Sequence, residues 1–222
     1  MTISTPEIQH LDLKQTYYAM SLPSEITLDA EVVAADLWEE ILERTYITGK
    51  EHGLNIGHDR MSKSLRRSKI YQGTERSLKH PLLPFGLHSL KELVGGIESV
   101  LDLHSHPKHP EVAHLKTTAF TDQDIDNFLR FRVRAKLMID HGGKHLLLGN
   151  FDYSQKEDFI MNYVHQALNK AGNEHQTMYD VLYEVANRLE KIGLRYFFTN
   201  TSNTQNGKIP FTDVRRLKSQ SE

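Results

Sequence analysis

The order of apolar and polar residues along the chain switches repeatedly between a helical period and a strand period. After Asp29 an apolar stripe at three- to four-residue spacing predicts a first helix, whose stripe we interpret as core packing. The members of this stripe are Val32, Ala35, Trp38 and Leu42. A turn and a short strand that ends at Gly57 should follow the helix.

Further along, the alternation in GIESVLDLHSHP predicts a strand that runs into two histidines. TDQDIDNFLRFRVRA predicts a helix, and two apolar runs around residues 140–143 in KLMIDHGGKHLLLG predict a β-hairpin. Two more helices, over about 155–170 and 175–191, and a strand at LRYFFTN complete the series. The apolar stripe of the second of these helices consists of Met178, Val181, Leu182, Val185 and Leu189.

This mixed order of elements favours an α/β or α+β fold, with a mixed β-sheet flanked by helices. Residues 1–26 are expected to form an N-terminal arm or an edge strand. Residues 27–200 should form one domain that includes the C-terminal helices, and residues 201–222 a polar C-terminal tail. We find no internal repeat, and no linker that would divide the chain.

Composition narrows the chemistry more than it narrows the fold. The 222-residue chain has a formal net charge of −2 and no cysteine, so thiol nucleophiles and cysteine-ligated zinc fingers are excluded. The N-terminus lacks the features of a signal peptide and no apolar run is long enough to span a membrane, so we expect a cytoplasmic protein. Residues 58–80 are locally basic, which is typical of a solvated loop around one strand or of a contact surface for an acidic partner.

The segment LDLHSHPKHPEVAHLKTTAFTDQD carries the most specific chemical pattern in the chain. His104 and His106 lie two residues apart on a predicted strand, so both imidazoles should point to one face, about 7 Å apart along the chain. Pro107 suits the end of that strand, and Asp124 is the candidate for a third metal ligand. Two imidazoles and a carboxylate are ordinary zinc ligands that leave a fourth position for water.

The same aspartate also fits an ordinary helix start. Thr121 followed three residues later by Asp124 has the spacing of a capping box, and an apolar stripe follows it. The capping interpretation and the metal interpretation can hold together, because a helix N-terminus beside a strand end brings a carboxylate to two imidazoles. His109 and His114, in the intervening segment, are expected to be loop residues rather than ligands.

These residues resemble the JAMM motif of the MPN-type (JAB-domain) zinc metalloproteases, which includes H-[ST]-H-P, then a serine, then an aspartate three residues on. HSHP at 104–107 matches in full, Thr121 stands at the serine position and Asp124 at the aspartate position. The family's glutamate opens a glycine-containing strand, and KEHGLNIG offers Glu51 with Gly53 and Gly57. The spacing of this glutamate is one residue short, and the segment before Thr121 is about twice the usual length. The resemblance covers about residues 29–150.

The resemblance implies a cytidine-deaminase-like architecture and one Zn²⁺ per chain, held by His104, His106 and Asp124. It implies that Glu51 acts as the general base and that the Thr121 hydroxyl donates to the developing oxyanion. The reaction implied is hydrolysis of a peptide or isopeptide bond at the C-terminus of a ubiquitin-like protein, the activity of a deubiquitinase-like isopeptidase.

Two acidic residues near the histidines have alternative roles. Glu98 is a rival for the general base, but six residues of strand should place it roughly 20 Å from His104. Asp102 shares the predicted face of His104, so it is expected either to orient an imidazole or to be solvated.

Three other functions stay open at this point. One is a non-catalytic MPN-type scaffold, although such members usually lose the histidine pair or the aspartate. Another is a nucleic-acid-processing relative that uses the basic residues 58–80, which the near-neutral chain does not favour. The third is a mononuclear iron oxygenase, which also uses two histidines and a carboxylate but whose fold should show many short strands, whereas helices dominate the predicted elements.

Overall fold

A computed structural model describes residues 8–15, 21–75, 78, 96–108, 120–131, 133–149, 178–200 and 204–217. The helix predicted over about 155–170 lies outside these residues, and so do His109 and His114.

One large mixed sheet organises the described part of the chain. Its order is β1-β2-β10-β9-β8-β7-β6-β3-β4, with β5 paired to β3, so β1 and β4 form the two edges. The strands are β1 (Ile8–His10), β2 (Glu25–Asp29), β3 (His52–Asp59), β4 (Ser64–Arg67), β5 (Tyr71–Gln72), β6 (Ile97–Ser105), β7 (Ala135–Ile139), β8 (Lys144–Gly149), β9 (Leu194–Thr199) and β10 (Lys208–Asp213).

Within the described residues, four α-helices accompany the sheet: α1 (Trp38–Thr48), α2 (Asp122–Phe131), α3 (Met178–Lys191) and α4 (Val214–Leu217). The first helix begins nine residues later than the stripe predicted, because turns and a short 3₁₀ helix (Ala35–Leu37) precede it. Strands, not helices, make up most of the described elements, so the expectation that helices dominate is wrong for this part of the chain. None of the described helices has both the length and the apolar character needed to cross a membrane.

Each face of the sheet buries its own apolar layer, which is what the alternation of side chains along the strands requires. Helix α1 packs on one face over β3 and β6, and helix α3 packs over β9. The core on the α1 face includes Ile41, Leu54, Leu103, Leu137, Leu146 and Phe197. The core on the α3 face includes Phe120, Phe128, Met138, Leu147, Leu189 and Tyr196. The predicted α+β character with helices flanking a mixed sheet is therefore confirmed.

The ends of the chain are more structured than the sequence suggested. The predicted edge strand exists as β1, which pairs in parallel with β2. The segment assigned to a polar tail contains β10, which lies inside the sheet between β2 and β9, followed by α4. The difference arises because two alternate residues of β10, Ile209 and Phe211, are buried in the core, whereas a proline and three polar residues make up the rest of the strand.

Gly53 brings β3 unusually close to β6 at the position where it pairs with His104. A Cβ at this position would lie 2.5 Å from the carbonyl oxygen of Leu103, 2.6 Å from Leu78 Cδ2 and 3.1 Å from His104 Cβ.

We therefore expect Gly53→Ala to lower the free energy of unfolding by about 2 to 3 kcal/mol, measured by urea denaturation. Gly49→Ala is the control, since a Cβ there meets nothing within 4 Å and its φ of +66° should cost only about 1 kcal/mol. An equal loss of unfolding free energy in the two variants would contradict the close approach of β3 and β6 at Gly53.

Candidate metal centre

The two predicted histidines meet at the end of β6. His104 lies within the strand and His106 one residue beyond it, where its backbone N–H donates to the carbonyl oxygen of Ile139 on the neighbouring β7 at 3.0 Å. Both side chains are buried, and their Nε2 atoms are 3.2 Å apart. The sequence prediction that both imidazoles converge on one point is therefore consistent with the geometry.

Asp124 completes the group from the first turn of α2. Its Oδ1 lies 3.0 Å from His104 Nε2, and its Oδ2 lies 3.1 Å from His106 Nε2. The carboxylate is oriented by Thr121, whose backbone N–H and hydroxyl donate to Oδ2 at 2.9 Å and 2.7 Å. The Asp124 N–H donates back to the Thr121 hydroxyl at 3.2 Å, so the predicted capping box is formed.

Within the described residues these three side chains are the one group of His, Asp or Glu found close enough together to hold a metal ion. Zinc–nitrogen and zinc–oxygen bonds are about 2.0 to 2.2 Å long, which places neighbouring atoms of a tetrahedral site about 3.3 to 3.5 Å apart. The two imidazole Nε2 atoms are 3.2 Å apart, and each lies 3.0 or 3.1 Å from a different oxygen of Asp124. The buried group could therefore hold one metal ion.

The charges of the group also suit a metal site. The pKa of His104 is lowered to about 4, mainly by burial. At neutral pH this imidazole is therefore neutral and can donate a lone pair to a metal. Burial alone would raise the pKa of Asp124, but His104, His106 and Lys136 outweigh it and hold that pKa well below its usual value. Because Asp124 also raises the pKa of His106 against the effect of burial, a metal would compete with a proton for that imidazole.

Glu51 lies immediately before β3, on the face of the metal ligands. Continuing the antiparallel register of β3 and β6 by two residues from the Gly53–His104 pair sets it opposite His106. Its side chain is 5% exposed, and burial raises its pKa to about 7, with His106 opposing the rise. Lys50, at the position that the family spacing would give to the glutamate, is half-exposed.

The backbone around Glu51 is fixed from two sides. The Glu51 N–H donates to the Thr74 carbonyl oxygen at 2.9 Å, and the Gly73 N–H donates to the Glu51 carbonyl oxygen at 2.8 Å. On the other side, the Ser105 hydroxyl donates to the carbonyl oxygen of His52 at 3.1 Å. These bonds fix the backbone of Glu51 beside the strand that bears the histidines, so the sheet sets the point from which its side chain extends.

Two other acidic residues of β6, Glu98 and Asp102, each pair with basic side chains. Glu98 lies at the opposite end of β6, opposite His58, and forms ion pairs with Arg60 and Arg134 at 2.9 and 2.7 Å. This position agrees with the expectation that Glu98 lies far along the strand from His104. Asp102 does not lie in solvent: it is buried and pairs with Lys136 at 2.5 Å.

Sequence reasoning missed Lys136 and Tyr71. Lys136 lies on β7, directly opposite Asp102 in the parallel register, and is 1% exposed. The Tyr71 hydroxyl accepts a hydrogen bond from Asn55 Nδ2 at 2.9 Å, and burial followed by the charge of Asp102 raises its pKa well above the usual value. The one available signal was a lysine that opens an otherwise apolar strand, KLMI, beside a strand that contains an aspartate.

Comparison with known proteins adds no relative: no model of a protein family, no curated protein and no solved structure gives a significant match to this chain.

Asp124→Ala should abolish metal binding, because it removes one of three ligands and its bonds to both imidazoles. After dialysis against ZnCl₂ and removal of free metal, we expect about one zinc per chain in the wild type and little in the variant, measured by inductively coupled plasma mass spectrometry. Iron and zinc are also measured in both proteins as purified, before any dialysis. Asp126→Ala, on the same helix, is the matched control and should keep the metal; wild-type metal content in Asp124→Ala would contradict the assignment.

Proposed function

We propose that this protein is a zinc-dependent peptidase or isopeptidase of the JAMM/MPN type. One observation supports this proposal above all others. Two imidazoles and an ionised carboxylate converge within 3.0–3.2 Å of one another, and a buried glutamate with a pKa of about 7 lies opposite one of the imidazoles. A structural zinc site would use four protein ligands, whereas three ligands beside an acid–base group are typical of hydrolytic zinc sites.

His104, His106 and Asp124 would hold the metal. When bound, zinc supplies Lewis acidity that polarises a scissile carbonyl and makes a water molecule a better nucleophile at neutral pH. The absence of cysteine from the whole sequence leaves nitrogen and oxygen as the available donors, which suits zinc and iron(II) alike. The JAMM-like spacing around HSHP favours zinc, and the measured metal content separates the two.

Glu51 would move the protons of the reaction. A carboxyl with a pKa of about 7 is balanced between its two protonation states near neutral pH, as a group that both accepts and returns a proton requires. Glu51 would take a proton from the attacking water and deliver it to the nitrogen of the leaving amine. Burial excludes bulk water from competing for that proton.

Thr121 would support the developing oxyanion by donating its hydroxyl hydrogen, as the resemblance implies. In the described geometry this hydrogen is directed at Asp124 Oδ2, at 2.7 Å. The hydroxyl would therefore turn from Asp124 towards the substrate oxygen during the reaction, while the Thr121 N–H continues to hold the carboxylate at 2.9 Å.

The substrate class follows from the resemblance: an amide or isopeptide bond at the C-terminus of a ubiquitin-like protein or peptide. The scaffold alternative is weakened because all three metal ligands are retained and converge. The nucleic-acid alternative is weakened because arginines of the basic segment form ion pairs with carboxylates. These pairs are Arg60–Glu98, Arg66–Asp59 and Arg67–Asp36.

Glu51→Gln should keep the metal and lose cleavage by at least about 10²-fold, because the amide keeps the shape of the side chain but cannot accept a proton. Activity is measured on a panel of ubiquitin-like proteins joined through their C-terminal carboxyl to the lysine of a fluorescent peptide. Glu98→Gln is the matched control and should cleave at the wild-type rate. Full activity of Glu51→Gln would remove Glu51 from the mechanism.

Thr121→Ala should fold, bind zinc and turn over roughly 10²-fold more slowly, since one donor to the oxyanion is lost. Thr121→Ser should restore most of the turnover because it keeps the hydroxyl. The comparison is made on the same substrates at saturating zinc. Unchanged turnover of the alanine variant would leave Thr121 with a capping role alone.

A further inference from the structure

A fully buried ion pair lies beside the candidate metal centre and is not used by the proposed mechanism. Asp102 on β6 and Lys136 on β7 face each other in register, and their side chains are each 2% exposed. Lys136 Nζ is 2.5 Å from Asp102 Oδ2 and 3.6 Å from Asp124 Oδ1. The ammonium group therefore stands next to two carboxylates, one of which belongs to the metal-binding group.

Stability alone is a weak reason for this pair. Removing two charges from water is costly, and a well-packed apolar pair of similar size is often at least as stabilising. Lys136 Nζ bonds Asp102 Oδ2 and lies beside Asp124 Oδ1, and these two carboxylates offset the cost of burying an ammonium group. The pair is neutral as a whole, but its ammonium group lies between Asp102 and the carboxylate of Asp124, where it can control which carboxylates reach a bound metal.

Asp102 has the attributes of a further metal ligand. It lies two residues before His104 on the same strand, so its side chain leaves the sheet on the same face. A carboxylate oxygen is an ordinary ligand for zinc, and a fourth protein ligand would close the position that a hydrolytic site keeps open. Nevertheless, its oxygens lie outside the compact group formed by His104, His106 and Asp124.

We propose that Lys136 is a positioning residue that holds Asp102 out of the coordination sphere of the metal, so that only three protein ligands bind it. The ammonium bonds Asp102 directly, while the Tyr71 hydroxyl lies beside the same carboxylate. Lys136 thereby acts as a charged lock on a spare ligand. This inference rests on the metal-binding part of the proposed function, and not on the identity of the substrate.

Lys136→Met tests the lock, because methionine fills a similar volume without the charge. The freed Asp102 carboxylate should join the metal or balance its charge, so we expect Co²⁺ to bind the metal-free variant about tenfold or more tightly than the wild type. The visible absorption spectrum of bound Co²⁺ should change, because its coordination changes. Cleavage activity should fall in the same variant.

The double variant Lys136→Met/Asp102→Asn removes the spare ligand together with its lock. We expect its Co²⁺ affinity and spectrum to return towards those of the wild type. Lys144→Met is the matched control for the loss of a buried lysine, since Lys144 lies over Trp38 on the opposite face of the sheet, 4.3 Å from the ring centre. It should leave both Co²⁺ affinity and spectrum unchanged.

The outcomes that overturn the proposal are distinct. If Lys136→Met binds Co²⁺ as the wild type does or more weakly, with the same spectrum, Lys136 has only a structural role. If it does not fold, Asp102→Asn decides: an altered Co²⁺ spectrum there means that Asp102 already binds the metal and the lock does not exist, whereas an unaltered spectrum supports it. If the wild type binds no Co²⁺ or Zn²⁺, the proposed function fails along with this inference.

Discussion

The antiparallel pairing of β3 with β6 is the contact on which the candidate site depends. It sets Gly53 opposite His104 and thereby brings Glu51 opposite His106. Since side chains alternate between faces, a slip of one residue would turn Glu51 away from both imidazoles and into the core beneath α1. The glycine makes the register specific, because no larger residue fits against the backbone of β6 at this point.

The parallel pairing of β6 with β7 adds the second constraint. It brings the carboxyl ends of both strands to one edge of the sheet, where His106 bonds the backbone of β7 and α2 presents Asp124. The same register sets Lys136 opposite Asp102. The positions of the candidate metal ligands, of the acid–base candidate and of the buried ion pair therefore depend on two strand registers rather than on separate local motifs.

What could be predicted from the sequence is what local patterns encode. The alternation before His104 predicted β6, the apolar runs around residues 140–143 predicted the β7–β8 hairpin, and all three strands are present. Strand β10 was missed because only Ile209 and Phe211 mark it and Pro210 argues against a central strand. The proline is tolerated because the pairing with β9 is confined to Thr212 and Asp213.

Within the site, the local spacings H-x-H and T-x-x-D were sufficient to identify residues that converge, since each spacing fixes a face of a strand or a turn of a helix. Lys136 could not be predicted in the same way. Its burial depends on a partner that lies 34 residues away in the sequence, and a lone lysine in a strand is more often solvent-exposed. Glu51 could be predicted from the sequence only in part, because its spacing in the motif is offset by one residue. The β3–β6 register is what places Glu51 rather than Lys50 on the face of the histidines.

The position of β10 has a consequence for how the chain reaches its fold. Strands β1 and β2 are hydrogen-bonded to the rest of the described sheet through β10, although β2 and β10 lie near opposite ends of the sequence. During synthesis from the N-terminus, β2 can pair with β1 early, but β10, which joins both strands to the rest of the described sheet, is made more than 170 residues later. Contacts of such long sequence separation slow folding and leave a strand edge open to wrong pairing. The part of the buried core that Ile26 and Leu28 of β2 contribute therefore depends on a strand that is synthesised near the end of the chain.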